Sequence, residues 1–299
     1  MKYLVIVVAG VLLLGTQAFL PVHADAGASV VKIEGVDYAF DAPDRIKSGW
    51  TTFDYTNAGD EQHFLFLARI PDGQTFDDYL TGIVRPFNDA WIMLREGEIG
   101  SEKVDAELGA ALPDWFSDVV FFGGSGVIEP GMTTRLTLDL DPGTYAIECY
   151  MKTEGGELHS MEGMIRELVV TEESSAASEP EAGIDITLTN KDMTIDGDLT
   201  PGEHTVAVHA AEHPKQGFGH NIHIARLDEA TDVDEVIRWM NFLELDGLRP
   251  PSPARFVGGM HILPEGGTGY FELELEPGRY LFVSEVTSPT SPFELVTVE

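Results

Sequence analysis

The chain repeats itself. EQHFLFLARI (Glu61–Ile70) matches FGHNIHIARL (Phe218–Leu227), which pairs His63 with His220 and Arg69 with Arg226. FGGSGVIEPG (Phe122–Gly131) resembles FVGGMHILPEGG (Phe256–Gly267), and LDLDPGTYAIEC (Leu138–Cys149) matches LELEPGRYLFVS (Leu273–Ser284). The blocks keep their order and approximate spacing, so one domain is written twice. Between the halves, TEESSAASEPEAG (Thr171–Gly183) has no apolar periodicity and reads as a flexible acidic linker. The expected division is a first domain over 25–170, a linker over 171–183 and a second domain over 184–299.

Each half is mainly strand. Leu136, Leu138 and Leu140 alternate with Thr137 and Asp139, as Phe271, Leu273 and Leu275 alternate with Glu272 and Glu274. A period of two marks half-buried antiparallel strands. Pro142-Gly143 and Pro277-Gly278 punctuate turns before the next strands. Each half also predicts one helix. Thr75 with Asp78 makes a capping-box start, and Phe76, Tyr79, Leu80, Ile83, Val84 and Phe87 share a face behind it. Thr231 with Asp234 repeats the start ahead of Val233, Val236, Ile237 and Met240. The expected fold class is all-β: two β-sandwiches, each with a short inserted helix.

Residues 1–24 read as a signal peptide. Lys2 supplies the positive start, Tyr3–Leu14 is an apolar run of twelve, and Val22-His23-Ala24 precedes the expected cleavage before Asp25. The protein is expected to be exported, to the periplasm or outside the cell, and tethered if the segment stays uncleaved. The 18 Lys and Arg against 51 Asp and Glu leave a net charge of −33, which argues against nucleic acid and against an anionic membrane surface as partners. An acidic, Lys-poor surface suits a high-salt medium. A single cysteine excludes an internal disulfide and any multi-thiolate metal site.

In an exported chain, one cysteine is a free thiol, half of an intermolecular disulfide or a metal ligand. Here Cys149 ends a strand over 144–150 and is followed at fixed spacing by His159 and Met164, while His63 opens an apolar strand after the turn Asn57–Asp60. Alone, Cys149 would read as a small buried apolar residue, His63 as a strand histidine and Met164 as core. Together they are the residue types of a blue-copper centre: two imidazoles and a thiolate in a plane, with a weak thioether on the axis. Met161 is the rival thioether, and spacing favours Met164.

At these residues the chain resembles the cupredoxins, the blue-copper family. NAGDEQHFLFL resembles the family's turn before its first His ligand, and GTYAIEC its Cys-bearing strand. The resemblance implies Greek-key sandwiches and copper ligands His63, Cys149, His159 and Met164. Nine residues between Cys149 and His159 make a long loop for the family, though copper nitrite reductases have similar ones. Phe64 stands where the family often has an Asn that ties the ligand segments together.

The second half keeps His220 but has Ser284 in place of Cys149, and its last loop, EVTSPTSPFELV, holds neither His nor Met. It is expected to be a degenerate copy. His220 and His223, three apart on a strand, should face opposite ways. His209, His213 and His261 could converge only through the fold. An enzyme of the nitrite-reductase kind would carry a His beside the Cys ligand, where this chain has Glu148. The expected role is one-electron transfer with a redox partner bearing a basic patch. A copper-free interaction module or a copper storage or delivery protein are the alternatives.

Overall fold

The computed structural model describes residues 30–214, 217–285 and 291–299; the expected signal peptide lies outside them. The first half contributes β1 (Val30–Val36), β2 (Ala39–Asp41), β3 (Arg45–Asn57), β4 (Phe66–Ile70), β5 (Val120–Gly124), β6 (Thr133–Leu140), β7 (Gly143–Glu148) and β8 (Ile165–Ser174). The second half contributes β9 (Ile184–Leu188), β10 (Met193–Asp196), β11 (Gly202–Ala210), β12 (Ile222–Leu227), β13 (Arg255–Met260), β14 (Thr268–Leu275), β15 (Gly278–Val283) and β16 (Phe293–Val298). Pairing repeats too: β1 runs parallel to β3 as β9 does to β11, and β7 lies between β4 and β8 as β15 lies between β12 and β16. Each half is therefore a sandwich of two sheets. In the first half β3 serves both sheets: Arg45–Ser48 pair with β8, and residues from Gly49 onward pair with β6. Gly49, at φ +85°, turns that corner where a side chain would be strained.

The two sandwiches are fused. β6 pairs antiparallel with β14, and Leu136 lies opposite Phe271, its own counterpart in the repeat. Ser125 bridges Met260, again the same position in each copy. Self-pairing of this kind is the geometry of an isologous dimer, here within one chain. One apolar core runs through both halves. The expected alternation supplies it: β6 buries Leu136, Leu138 and Leu140, and β14 buries Phe271, Leu273 and Leu275. Burying each such side chain stabilises the fold by about 1.5–3 kcal/mol.

Three local features differ from expectation. The first half carries a helical insert, not one helix: α1 (Phe76–Tyr79), a π turn (Leu80–Val84), α2 (Arg85–Arg95) and α3 (Val104–Ala111). The capping box is present, with Thr75 Oγ1 accepting from the Asp78 N–H at 3.1 Å and Asp78 Oδ2 from the Thr75 N–H at 2.8 Å. α3 buries only Val104 and Leu108, a single i,i+4 pair and too little periodicity to read. Beyond α4 (His159–Glu162), the helix of the second half, α5 (Val233–Trp239), is capped by Asp232, whose carboxylate accepts from the Asp234 N–H. Thr231 instead accepts from the Asp228 N–H. The linker is anchored: β8 extends through Ser174, Ser175 Oγ donates to Trp50 O at 2.7 Å, and Tyr270 donates to Glu179 at 2.6 Å. The Ser175 hydroxyl reaches β3, so polarity there tethers the chain.

Candidate metal centre

The turn before His63 is built by Asn57. Its Oδ1 accepts from the Gly59 N–H at 3.0 Å, and its Nδ2 donates to Glu61 O at 2.8 Å and Ile128 O at 3.1 Å. His63 then bridges Ile128, and Ser125 Oγ accepts from the Leu65 N–H at 2.9 Å, so the segment is clamped on both sides of the histidine. Phe64 packs its ring on Tyr150 and His261, at 4.7 and 5.0 Å between centroids. Its backbone N–H, with that of Met151, donates to the Cys149 sulfur.

Cys149 follows the last residue of β7, and its N–H donates to Met164 O at 3.0 Å. The long loop is folded on itself. Lys152 bridges Leu158, the Thr153 N–H donates to Glu157 O at 2.8 Å, and Trp91 of α2 donates to Gly156 O at 2.7 Å. The His159 N–H donates to Met151 O at 2.8 Å and the Met164 N–H to His159 O at 2.8 Å. A loop of this length thus returns His159 and Met164 to the strand end without being slack.

Three of the sequence-derived residues meet. Nδ1 of His63 and Nδ1 of His159 are 3.1 Å apart, and Cys149 Sγ is 4.0 and 3.6 Å from them. All three residues are fully buried. They form the one group of three or more His, Cys and acidic residues among the described residues whose donor atoms lie within 4.8 Å of one another. A cation about 2.0–2.3 Å from each of three coplanar donors needs them about 3.5–4.0 Å apart, close to what is found. Met164 is fully buried, and Met161 is at the surface. β1 passes close by: a side chain on Gly35 would lie 2.6 Å from Tyr55 Oη and 3.1 Å from Met164 Cε. The Cys149 N–H, 3.0 Å from Met164 O, joins the two residues through their backbone.

Sequence reasoning did not find the groups behind the histidines. Asp37, in the β1–β2 turn, lies with Oδ1 2.9 Å from His63 Nε2 and accepts from the Asp60 N–H at 2.9 Å. Glu61 Oε2 is 3.0 Å from His159 Nε2, though out of line for a hydrogen bond. Tyr38 donates to Glu61 at 3.3 Å and sets its ring edge-on to His159 at 5.0 Å. Burial alone would raise Asp37, but hydrogen bonds from Asp60, His63 and Glu61 outweigh it and hold the carboxyl below its usual range. Burial pushes His63 down against the opposing pull of Asp37. Burial, then repulsion from His63, takes His159 down to about 3. Both imidazoles are therefore neutral, as metal ligands must be. Burial pushes the Cys149 thiol up to about 12 despite the two N–H donors. A bound cation would offset that cost and favour the thiolate. The residues present fit a soft, imidazole-binding ion, and a lone thiolate with two imidazoles and a nearby thioether is the donor set of copper.

The second half shows the same frame without the donors. His220 Nδ1 is 3.2 Å from Ser284 Oγ. His223 faces the other way and accepts from the Val127 N–H of the first half at 3.1 Å. His209 pairs with Asp185 at 3.0 Å and His213 with Leu263 O at 2.9 Å, while His261 meets Tyr150 Oη at 3.0 Å, so these three do not converge. Glu148 points away from the centre and accepts from Tyr79 Oη at 2.8 Å.

No family model matches the sequence, and no curated protein matches it. Among solved structures the chain is similar to auracyanin A of Chloroflexus aurantiacus, described as a blue copper protein, with 19% identity over 48% of this chain and 100% of that one and a TM-score of 0.29. It is similar also to a blue copper oxidase of Nitrosomonas europaea (17% identity, 90% of this chain, 84% of that one, TM-score 0.23). A copper-containing nitrite reductase of Thermus scotoductus is a third (11% identity, 91% of this chain, 61% of that one, TM-score 0.23). Likenesses at this level carry no argument about function; the donor atoms of His63, Cys149 and His159 do.

Proposed function

We propose that the protein is an exported one-electron carrier holding a single blue-type copper in its first half. His63, Cys149, His159 and Met164 would hold it. The observation that carries this reading is the convergence of two imidazole Nδ1 atoms and one Sγ in a fully buried cluster. Bound copper would supply a one-electron couple there. The chain's own residues do the rest. Asp37 takes the Nε2–H of His63 and leaves the Nδ1 lone pair free for the ion. The N–H groups of Phe64 and Met151 stabilise a thiolate on Cys149. The clamped turn and the folded loop keep the donors at one spacing whatever the oxidation state, and burial keeps water out.

A carrier role suits the surroundings better than catalysis. The neighbour of Cys149 is Glu148, which is buried and committed to Tyr79, so a second copper has no His to adjoin there. At the other side Asp37 and Glu61, with the exposed Glu154 and Glu162 close enough to act on them or on Tyr38, make an acidic mouth beside His159. This mouth favours a redox partner with a basic patch, steered weakly where salt is high. The charge of −33 fits neither nucleic acid nor an anionic membrane.

The test is to load the protein with Cu(II), record a visible spectrum and count copper per chain. An intense thiolate-to-copper band at one copper per chain, both lost in Cys149→Ser, is the expected result. A colourless protein without stoichiometric copper would overturn the reading and leave a copper-free interaction module. Copper that binds but does not cycle reversibly would indicate storage or delivery.

A further inference from the structure

Behind the strand that bears Cys149 lies a cavity that the electron-transfer reading does not use. It measures about 550 Å³, within the range of small-molecule sites. The helical insert forms one wall, and segments of the second half around Phe218 and Phe242 form the other. The expected apolar face of the insert (Tyr79, Ile83, Val84 and Phe87) is turned toward it, so the face that reads as core in sequence packs into the core and also lines this space.

The lining has a distinct chemistry. Nine aromatic residues contribute to it, Trp91 and Tyr150 among them. So do four acidic ones, Asp105, Asp114, Glu148 and Glu285, and no Lys, Arg or His. Lys152 does not itself line the cavity, but its Nζ stands 3.7 Å over the Trp91 ring and 4.7 Å over the Phe242 ring. It acts electrostatically on Glu285 and donates to Phe242 O at 2.6 Å and Glu244 O at 2.8 Å. Trp91 and Phe242 therefore already hold a cation, and the other aromatic faces remain for a ligand. Glu285 accepts from Tyr150 and Asn221 through Oε2 alone in the bonds it makes. Ser160 Oγ also lines the cavity; it is 5% exposed and has no partner among the described residues. Aromatic faces attract cations, and unpaired buried acceptors gain most from a charged donor.

We propose that this cavity binds a hydrophobic organic cation, an amine carried on an aromatic or aliphatic body, with Glu285 as its main anionic partner. The aromatic faces receive the body and the adjoining charge, and Ser160 supplies a further acceptor. Anions are disfavoured because four carboxyl groups and no Lys, Arg or His line the cavity. None of His63, Cys149, His159 and Met164 lines the cavity, so binding there does not call for copper.

Calorimetric titration of the full chain, purified without added metal, tests this with phenylpropylamine, phenylpropanol and phenylpropanoate. The amine should bind one per chain, about tenfold or more tighter than the alcohol, and the acid should give no saturable heat. Glu285→Gln should erase the amine's advantage and leave the alcohol unchanged. Leu108→Trp, which fills the cavity from α3, should abolish binding of both while circular dichroism stays native. Should Glu285→Gln not fold, Asp105→Asn with Asp114→Asn, at exposed positions of the lining, should weaken the amine about threefold. An amine no tighter than the alcohol, no saturable amine binding, an unchanged affinity in the charge variants, or binding that survives Leu108→Trp would each overturn the proposal.

Discussion

His63 with Cys149 in the first half and His220 with Ser284 in the second occupy the same place in the same frame. Arg69 donates to Pro142 O at 3.2 Å, and Arg226 to Pro277 O at 3.3 Å. Tyr145 Oη donates to Asp141 O at 2.8 Å, and Tyr280 Oη to Glu276 O at 3.1 Å. Even the strand-end pair survives, with Ser284 Oγ 3.2 Å from His220 Nδ1. What the second half lacks is the sulfur, the His and Met of the following loop, and the carboxylate behind the first histidine. The β9–β10 turn offers His220 only the backbone of Asn190, and its Nε2 has no aligned partner among the described residues. The sandwich therefore positions one histidine and one strand end; a metal centre needs a loop and a brace added to it.

The largest break in this comparison is Cys149→Ser, which makes the first half chemically like the second and should remove the copper band altogether. The next tests whether the frames are equal. Gly124 and Gly259 sit at φ +137° and +133°. A side chain there would lie 1.8 Å from Leu65 O and 2.0 Å from Ile222 O, respectively. Gly124→Ala and Gly259→Ala should each destabilise the metal-free protein by about 2–6 kcal/mol, from backbone strain plus overpacking. Denaturant titration should give losses of similar size at the two sites. A loss confined to one site would mean that the copies share sequence blocks but not a supporting role.

Asp37→Asn tests the brace at smaller amplitude. The amide keeps the shape but removes the charge that holds the Nε2–H of His63. Copper affinity should fall about 10–100-fold, with the band retained. Competition against a chelator of known affinity measures it. An unchanged affinity would show that the turn is scaffolding only.

These residues also mark what a sequence alone reveals. The strands are legible because Leu136, Leu138 and Leu140 alternate on one face, and the loop is legible because Cys149, His159 and Met164 follow one another along the chain. Asp37 is not: it reaches His63 through the parallel pairing of β1 with β3, 26 positions away, and no local pattern announces it. Glu61 stands two residues before His63 in the quoted block, yet only the fold turns it toward His159. The apolar face of the helical insert was visible, but whether such a face meets core or cavity depends on the second half packing opposite. The anchoring of the linker is equally silent in sequence, since nothing there announces that Ser175 meets Trp50 O.

The smallest expected effect comes from restoring the sulfur where it is missing. Ser284→Cys gives the second half a strand-end thiol beside His220, the pair that the first half has in Cys149 and His63. If a thiol and one imidazole were enough, the variant would bind a second copper. The loop argues otherwise. In the first half the segment after Cys149 brings His159 into the cluster and carries the buried Met164, whereas residues 285–296 contain no His, Cys or Met. Two donors leave a copper ion without a trigonal plane, so no second charge-transfer band should form. Copper should stay at one per chain, and stability should change by about 1 kcal/mol or less, because a small buried sulfur replaces a hydroxyl that one hydrogen bond held to His220. Metal analysis and a visible spectrum on the same sample decide it. A second copper with the same band would show that the frame alone makes the centre and that the loop merely adjusts it.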